Sequence, residues 1–426
     1  MHSYSREALL FTPKFGVWCN GNTADSGPAF PGSNPGTPTR FSMLVCSYDL
    51  GANNLFGVWC NGNTADSGPA FSGSSPDTPT IFFYLAQSNF YQFGCVFVFC
   101  CVMNFRTPVE LPESSLQLLP QSRVLFIGSC FADHVGQRLA ACLPSNQVCI
   151  NPHGTLYNPV SIRNVLATYL ADDVVKPFSE AGFFQLDSDE WRHWDYATKY
   201  TASSRAALAT MLREEWQLTA DFVRRADALF ITFSTDHVYC LREGEYRDAC
   251  VANCHKQPMR LFREEVADWN TLCAQWTAFL SAYHRDYPKQ KVIFTLSPYR
   301  YAKYGMHESA LSKSRLLLLI DSLCRDFGSF VSYFPAYEII TDELRDYRFY
   351  ASDMLHPSEQ AIDYVWEQFT VWAFTPQFTA YARERSAILR DMQHRPINPN
   401  SEAHQQFLQR LAEKKRKFEA KWGSID

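Results

Sequence analysis

The chain has 426 residues, of which 46% are hydrophobic and 19% charged, with a formal net charge of −5 at pH 7. This composition is typical of a globular protein, and the length suggests about two or three domains. The weak negative charge disfavours a nucleic-acid partner, and because no apolar run reaches the roughly 18 residues of a transmembrane helix, we expect no membrane span.

The 14 cysteines give no sign of a metal site. No Cys-x-x-Cys pair is followed by a second pair, so we expect free, mostly buried thiols in a reducing, cytoplasmic compartment. His153, His237 and His307 have no acidic or thiol partner at helical or turn spacing, so we interpret them as core or rim residues rather than metal ligands. We therefore predict neither a metal nor another cofactor.

Residues 1–102 are set apart by an internal repeat. The segment from Phe15 to Phe30 recurs without a change from Phe56 to Phe71. A repeat selected for packing keeps its apolar positions and varies elsewhere, and stacking normally needs three or more copies. This repeat is identical at polar and apolar positions and rich in Gly, Pro, Asn and Ser, a composition that favours turns or disorder.

We hypothesise that residues 1–102 are a disordered or spurious extension. Gly32-Ser33-Asn34-Pro35 can be encoded by GGT-TCG-AAT-CCC, which contains the T-arm sequence of a tRNA gene. Two tandem tRNA genes read in one frame would give near-identical copies with unrelated spacers, and the protein would then start at Met103. A small repeat-bearing binding module is the alternative, and N-terminal sequencing of the native protein distinguishes the two.

Residues 103–375 alternate strand-like and helix-like segments, which is typical of an α/β domain with a parallel sheet. We predict a three-layer sandwich around a central, mostly parallel five-stranded sheet. The predicted strands are residues 123–128, 147–150, 228–235, 291–297 and 330–334. The predicted helices are a segment that follows residue 130 and residues 161–170, 203–225, 264–286, 309–327 and 358–369.

Several polar or turn-forming residues follow predicted strands, namely Ser129, Gly154, Asp236 and Pro298. Loops at the carboxyl ends of parallel strands build the sites of α/β proteins, so these residues should converge.

Residues 376–426 lose this alternation and form a C-terminal helical tail in our prediction. Two exposed helices are expected, over residues 378–392 and 403–422. We interpret the basic run at residues 414–417 as a solvated helix face, with a partner-binding arm as the alternative.

Ser129 is the first candidate catalytic residue. Four apolar residues lead into Gly128-Ser129-Cys130, and a helical pattern starts at Phe131. A strand that ends in this way puts a hydroxyl beside the unpaired N–H groups of a helix N-terminus, where a nucleophile is well placed. The structural alternative is that Ser129 only caps the helix, since Ser is a favoured N-cap residue. Cys130 is an alternative nucleophile, although we expect it to point inward as a small hydrophobe.

Asp353 and His356 are the second and third candidates. An Asp three residues before a His, in a turn that precedes a helical pattern, can place the carboxylate and the imidazole side by side. The Pro357-Ser358 pair that follows is typical of a helix start.

Gly-Ser after the first strand and Asp-x-x-His before the last helix are together similar to the pattern of SGNH, or GDSL-type, hydrolases. The first block, Gly-Ser-Cys-Phe-Ala at residues 128–132, resembles the signature of the bacterial GSCFA family, usually placed in that superfamily. Residues 151–159, 251–256 and 311–314 also resemble blocks of that family. The resemblance covers the chain from about Met103 to its end, and it implies an SGNH-like, flavodoxin-like fold.

The resemblance implies roles for these residues. Ser129 would attack an ester carbonyl, His356 would accept its proton, and Asp353 would hold the imidazole. By analogy with the superfamily, the N–H groups of Ser129 and Gly154 would stabilise the oxyanion.

The third oxyanion donor departs from the pattern of the superfamily. Related hydrolases keep an amide after the third strand, where this chain has Asp236. Asn253 and His255 are our substitutes from a later loop, and a loop-closing hydrogen bond is the equal alternative for both. Lys313 could contact an anionic substrate or cap a surface helix.

The sequence thus predicts a serine esterase or acyltransferase that acts on a small-molecule or glycan acyl ester. The alternative is a catalytically inactive binding or scaffold protein with the same fold, which Asp236 in place of the amide would favour.

Overall fold

The computed structural model describes residues 81–85, 98–102, 106–170, 178–396, 398 and 401–425. The chain divides into two compact units, residues 1–104 and 105–426. In the first unit, strands β1 (Ile81–Leu85) and β2 (Val98–Val102) pair antiparallel. Both copies of the repeat and the proposed start at Met103 lie outside the described residues, so the hypothesis about the extension stays a prediction.

The second unit contains ten of the described strands and all of the described helices. Its strands are β3 (Val124–Gly128), β4 (Val148–Ile150), β5 (Phe183–Asp187), β6 (Glu190–His193), β7 (Ala228–Phe233), β8 (His237–Leu241), β9 (Cys250–Val251), β10 (Phe262–Val266), β11 (Lys291–Leu296) and β12 (Val331–Tyr333). Its helices are α1 (Cys130–Cys142), α2 (Pro159–Leu170), α3 (Arg205–Arg224), α4 (Trp269–Asp286), α5 (Met306–Phe327), α6 (Ala336–Glu338), α7 (Glu359–Ala373), α8 (Pro376–Met392) and α9 (Glu402–Trp422).

A five-stranded sheet forms the centre of this unit, with the order β12-β11-β7-β3-β4 and every pair parallel. Counted along the chain from β4, the order is 2-1-3-4-5, which is the flavodoxin-like doubly wound topology. The predicted fold class is therefore confirmed. From β3 the chain moves to β4 at one edge of the sheet, and from β7 it continues through β11 and β12 to the other edge. The strand order therefore reverses between β3 and β7, and ligands commonly bind at such a point.

Alternate residues of each strand point to opposite faces of the sheet, and a separate hydrophobic core covers each face. Leu125 and Ile127 of β3 pack with the core that contains residues of α2, α3, α4 and α5. Val124 and Phe126 point to the opposite core, which contains residues of α1, α7 and α8. All four side chains are fully buried, and each such burial contributes roughly 1.5–3 kcal/mol, so both faces hold β3 in place.

Short antiparallel elements were missing from the sequence prediction. Strands β5 and β6 form a hairpin, and β10, β8 and β9 form a three-stranded sheet in that order. The helix predicted over residues 264–286 is wrong at its start, because β10 extends to Val266 and α4 begins at Trp269. Asp268 caps this helix by accepting a hydrogen bond from the Thr271 N–H at 2.8 Å.

The two C-terminal helices are present as predicted, but they are not simply exposed. Phe378 and Tyr381 of α8 are buried in the second core, and so is Phe418 of α9. The helices therefore complete the domain rather than extend from it. Among the described residues, no helix combines the length and the apolar character that crossing a bilayer requires.

Candidate active site

Gly128 ends β3 in a conformation that favours glycine. Its φ is +139°, and a Cβ at this position would lie 2.2 Å from the carbonyl oxygen of Thr232 on β7. Since neither the backbone angle nor the space admits a side chain, the chain can turn here only with Gly. The tight turn delivers Ser129 to the N-terminus of α1, at the gap between β3 and β7.

Ser129 is fully buried and caps α1. Its Oγ accepts a hydrogen bond from the Phe131 N–H at 3.3 Å, so the capping role that the sequence left open is present. The Ser129 N–H donates to the Thr232 carbonyl at 3.4 Å, a length at which the bond is weak. The serine thus lies at the position of a nucleophile while it also stabilises the helix.

Asn151 fixes this turn from the neighbouring strand, a role that sequence reasoning missed. Its Oδ1 accepts from the Gly128 N–H at 2.8 Å, and its Nδ2 donates to Asp133 Oδ1 at 2.8 Å. Asn151 has a φ of +42°, a left-handed angle that Asn tolerates better than most residues. The available signals were its position directly after the second predicted strand and its place at the start of the block of residues 151–159, but its partner is 23 residues away in sequence.

Cys130 does not have the surroundings of a thiolate nucleophile. Burial and the charge of Asp133 raise the pKa of its thiol above the ordinary value. A neutral thiol is a poor nucleophile, which favours Ser129 over Cys130.

Asp353 and His356 form a hydrogen-bonded pair, as their spacing in the sequence predicted. Asp353 Oδ2 lies 2.5 Å from His356 Nδ1, while Asp353 Oδ1 accepts from the N–H groups of Leu355 and His356 at 2.9 and 3.0 Å. The hydrogen bonds from His356 and from these N–H groups lower the pKa of Asp353 to about 2. An ionised carboxylate can only accept, so Nδ1 carries the proton and Nε2 is left as the basic nitrogen.

Tyr299, which lies shortly after β11, packs against this pair. Its ring centroid lies 4.4 Å from that of His356. Burial raises the pKa of Tyr299, and the negative charge of Asp353 adds to that shift. Among the described residues, no hydrogen bond joins Ser129 to Asp353 or His356.

The three candidate oxyanion residues outside this turn are already hydrogen-bonded elsewhere. The Gly154 N–H donates to the Asn151 carbonyl at 2.8 Å, so it is not a free donor, and its role would require that turn to open. Asn253 Oδ1 accepts from the His255 N–H at 2.7 Å, which is the loop-closing hydrogen bond of the structural alternative.

His255 is buried beside the rings of Phe184 and Trp194, and its Nε2 bonds the carbonyl of His193 at 2.9 Å. Burial lowers the pKa of His255 to about 4. Among the described residues, no hydrogen bond or ring contact joins Asn253 or His255 to Ser129 or His356.

Asp236 follows β7, close to the end of the strand beside Ser129. Its side chain is 1% exposed and its Oδ2 is in contact with Arg315 Nε. Arg315 also binds Glu308, with Nη2 2.6 Å from Oε1. An unpaired carboxylate at this position would repel an oxyanion, but the charge of Asp236 is neutralised by the guanidinium of Arg315 from α5.

Lys313 is 3% exposed, so of its two alternatives the cap of a surface helix is wrong. Its Nζ donates to the carbonyl oxygens of Ser234 and Ser297 at 2.6 and 2.7 Å. These residues directly follow β7 and β11, so the ammonium lies beneath the rim that carries the candidate site.

The three histidines considered as metal ligands have other surroundings. His153 is buried with its Nδ1 2.5 Å from the Tyr169 hydroxyl, and burial lowers its pKa to about 3. His237 Nδ1 lies 3.0 Å from Glu264 Oε1, and His307 is exposed at the start of α5. No group of three His, Cys, Asp or Glu residues suited to a metal ion occurs in the described part of the chain.

Comparison with protein families gives two matches. A model described as the GSCFA family matches residues 123–369, and one described as GSCFA domain protein, C-terminal domain, matches residues 386–426. The first match spans the sheet and every residue of the candidate site. A comparison with curated proteins gives no match.

Proposed function

The chain belongs to the GSCFA family, and from the geometry of its site we propose that it is a serine esterase or acyltransferase of SGNH type. The observation that carries the proposal is the Asp353–His356 pair, in which a fixed carboxylate holds the imidazole with its Nε2 free to accept a proton. Such a pair at the surface has little stabilising role of its own, since the two side chains are 43% and 48% exposed.

In the proposed reaction, His356 Nε2 takes the proton of Ser129 Oγ while that oxygen attacks the carbonyl carbon of an acyl ester. The tetrahedral oxyanion is stabilised by the Ser129 N–H, whose bond to Thr232 is long enough to be exchanged. The oxyanion then collapses, the alcohol leaves with the proton from His356, and an acyl group remains on Ser129. Water or a second alcohol releases it.

We propose an acylated, carbohydrate-like substrate. Tyr299 lies against His356, with 4.4 Å between the ring centroids, so an aromatic ring borders the proposed base. Apolar faces with a few placed polar groups suit a ligand that is partly sugar and partly acyl chain.

A catalytically inactive scaffold is the second candidate, and one observation favours it. Ser129 is fully buried with its oxygen bonded to the Phe131 N–H, so catalysis requires this cap to open. Catalytic hydrogen bonds often form only when substrate is bound, so the enzyme proposal requires that Ser129 Oγ leaves the Phe131 N–H on binding.

Labelling with a fluorophosphonate probe tests the proposal on the full chain. We expect labelling of the wild type at Ser129, none in Ser129→Ala, and a loss of at least about 10³-fold in rate for His356→Ala and Asp353→Asn, because the base or its tautomer is lost. Asp346→Asn is the matched control, since Asp346 also accepts a backbone N–H in a turn, from Arg348 at 2.9 Å, and should label normally.

Two results would contradict the enzyme proposal. A folded wild-type chain that takes up no probe would support the scaffold. Labelling that survives in Ser129→Ala and disappears in Cys130→Ala would assign the nucleophile to the thiol.

A further inference from the structure

Lys313 forms hydrogen bonds at the carboxyl ends of two central strands, β7 and β11. Its ammonium donates to the carbonyl of Ser234, just beyond β7, and to the carbonyl of Ser297, just beyond β11. It reaches them from α5, on the face of the sheet opposite to α1. The charged group is thus enclosed where the loops of the candidate site begin.

This buried charge has no partner of opposite sign within ion-pair distance. None of the ion pairs among the described residues includes Lys313. Asp236 is the acidic group whose charge acts on Lys313, but its carboxylate is in contact with Arg315. A buried, unpaired ammonium costs several kcal/mol, and two carbonyl hydrogen bonds offset only part of that cost. Buried ionisable groups of this kind are common at functional sites.

Lys313 lies close to the serine turn through β7. Its Nζ binds the carbonyl of Ser234, and the carbonyl of Thr232, two residues earlier, accepts a hydrogen bond from the Ser129 N–H. Burial lowers the pKa of Lys313 to about 7. A negative charge that forms on the Ser129 adduct therefore develops near the ammonium.

We propose that Lys313 is a positioning residue of the Ser129 site, whose buried ammonium holds the ends of β7 and β11 and stabilises the anionic tetrahedral intermediate. This inference rests on the proposed function. It supplies positive charge to a site in which the Gly154 N–H already donates to the carbonyl of Asn151. It also explains why a lysine, rather than an apolar residue, occupies this position.

The inference predicts a specific pH dependence. The ionisable groups that face Lys313 are Cys130 at the start of α1, Asp236 after β7 and Tyr301 after β11, whose ring centroid lies 5.5 Å from Nζ. Burial raises the pKa values of Cys130 and Tyr301, and Asp236 is held by Arg315. Lys313 is therefore the group expected to lose its charge as the pH rises through about 7.

The test measures the rate of fluorophosphonate labelling between pH 6 and 9 in the full chain. We expect the wild-type rate to fall on the alkaline side of about pH 7. Lys313→Arg, whose guanidinium stays charged, should lose this fall, and Lys313→Met should label about 10²-fold more slowly throughout. Lys291→Met is the matched control, because Lys291 also donates to a carbonyl, that of Ser329 at 2.8 Å, but at the opposite end of β11.

The outcomes separate the two proposals. A wild type that is not labelled at Ser129 overturns the proposed function and this inference together. A labelled wild type whose rate does not fall above pH 7, or a folded Lys313→Met that labels like the wild type, overturns this inference alone. The wild-type profile needs no variant, so the inference can fail even if Lys313→Met does not fold. A purely structural lysine would change the melting temperature of Lys313→Met but not the rate in the folded fraction.

Discussion

At the scale of single residues, the candidate site depends on a turn that few sequences can form. Gly128 supplies a backbone angle and a space that no side chain can share, and Asn151 bonds the same peptide from the next strand. Ser129 is thereby held at the N-terminus of α1. In the proposed reaction, this fixed position would reduce the entropy that is lost on reaching the transition state.

Replacement of Gly128 by Ala should destabilise the protein by at least about 1–3 kcal/mol, because the new Cβ would meet the Thr232 carbonyl at 2.2 Å and the φ of +139° is unfavourable. Urea unfolding of the variant measures the loss. Gly244→Ala is the control, since Gly244 has a φ of +88° with no atom within 4 Å of the added Cβ, and it reports the backbone strain alone. Equal losses in the two variants would contradict the role of the clash.

Sequence reasoning finds a candidate site residue when its signal is local. The serine turn and the Asp353-x-x-His356 pair are each contained in a few consecutive residues. The sequence singled out Lys313 but not its contacts, and it missed Arg315. Each makes a contact to a residue 79 positions away, and only the folded chain shows that α5 crosses the end of β7.

At the scale of elements, α5 carries two charged side chains that contact the strand ends at the candidate site. One turn of it carries both Lys313, which binds the ends of β7 and β11, and Arg315, which binds Asp236. The sequence predicted this helix from its periodicity. It could not predict the small antiparallel sheet, because β9 has two residues and β10 contains the charged residues Arg263, Glu264 and Glu265, which are no sign of a strand.

Arg315→Met should destabilise the protein strongly, because it leaves the Asp236 carboxylate buried without a partner. Breaking a buried pair costs about 3–5 kcal/mol, and we expect the lower end since Arg315 is 31% exposed. Arg325→Met on the same helix is the control, because its partner Asp321 and Arg325 itself are exposed, and such a pair contributes about 0.2–1 kcal/mol. Similar changes in unfolding free energy for both variants would show that the Asp236 pair is not structurally important.

At the scale of the whole domain, the last helices close one face of the sheet. The side chain of Phe418 from α9 lies against the ring of Tyr381 from α8, with 5.4 Å between the ring centroids. Near the start of the domain, Leu118 exchanges backbone hydrogen bonds with Ala373 and Thr375 at the junction of α7 and α8. The C-terminal region was predicted from its helical pattern, but its burial was not, because apolar residues are sparse among the charged ones of α9.

Phe418→Ala should cost about 3–5 kcal/mol, the usual loss for a buried aromatic side chain, since Phe418 is 2% exposed. Thermal unfolding followed by circular dichroism measures it. Leu408→Ala on the same helix should change little, because Leu408 is largely exposed. If both variants melt like the wild type, α9 is not an integral part of the domain.

The composition of the second core has a consequence for how the protein is made. Apart from Ala228, Phe230 and Ile293, its buried members come from residues 116–143 and 334–425, the two ends of the domain. A ribosome would release the first group long before the second, so one side of the nascent sheet stays uncovered until residues 334–425 have emerged. Chaperones that bind apolar surface should therefore remain associated with the chain until those residues can pack.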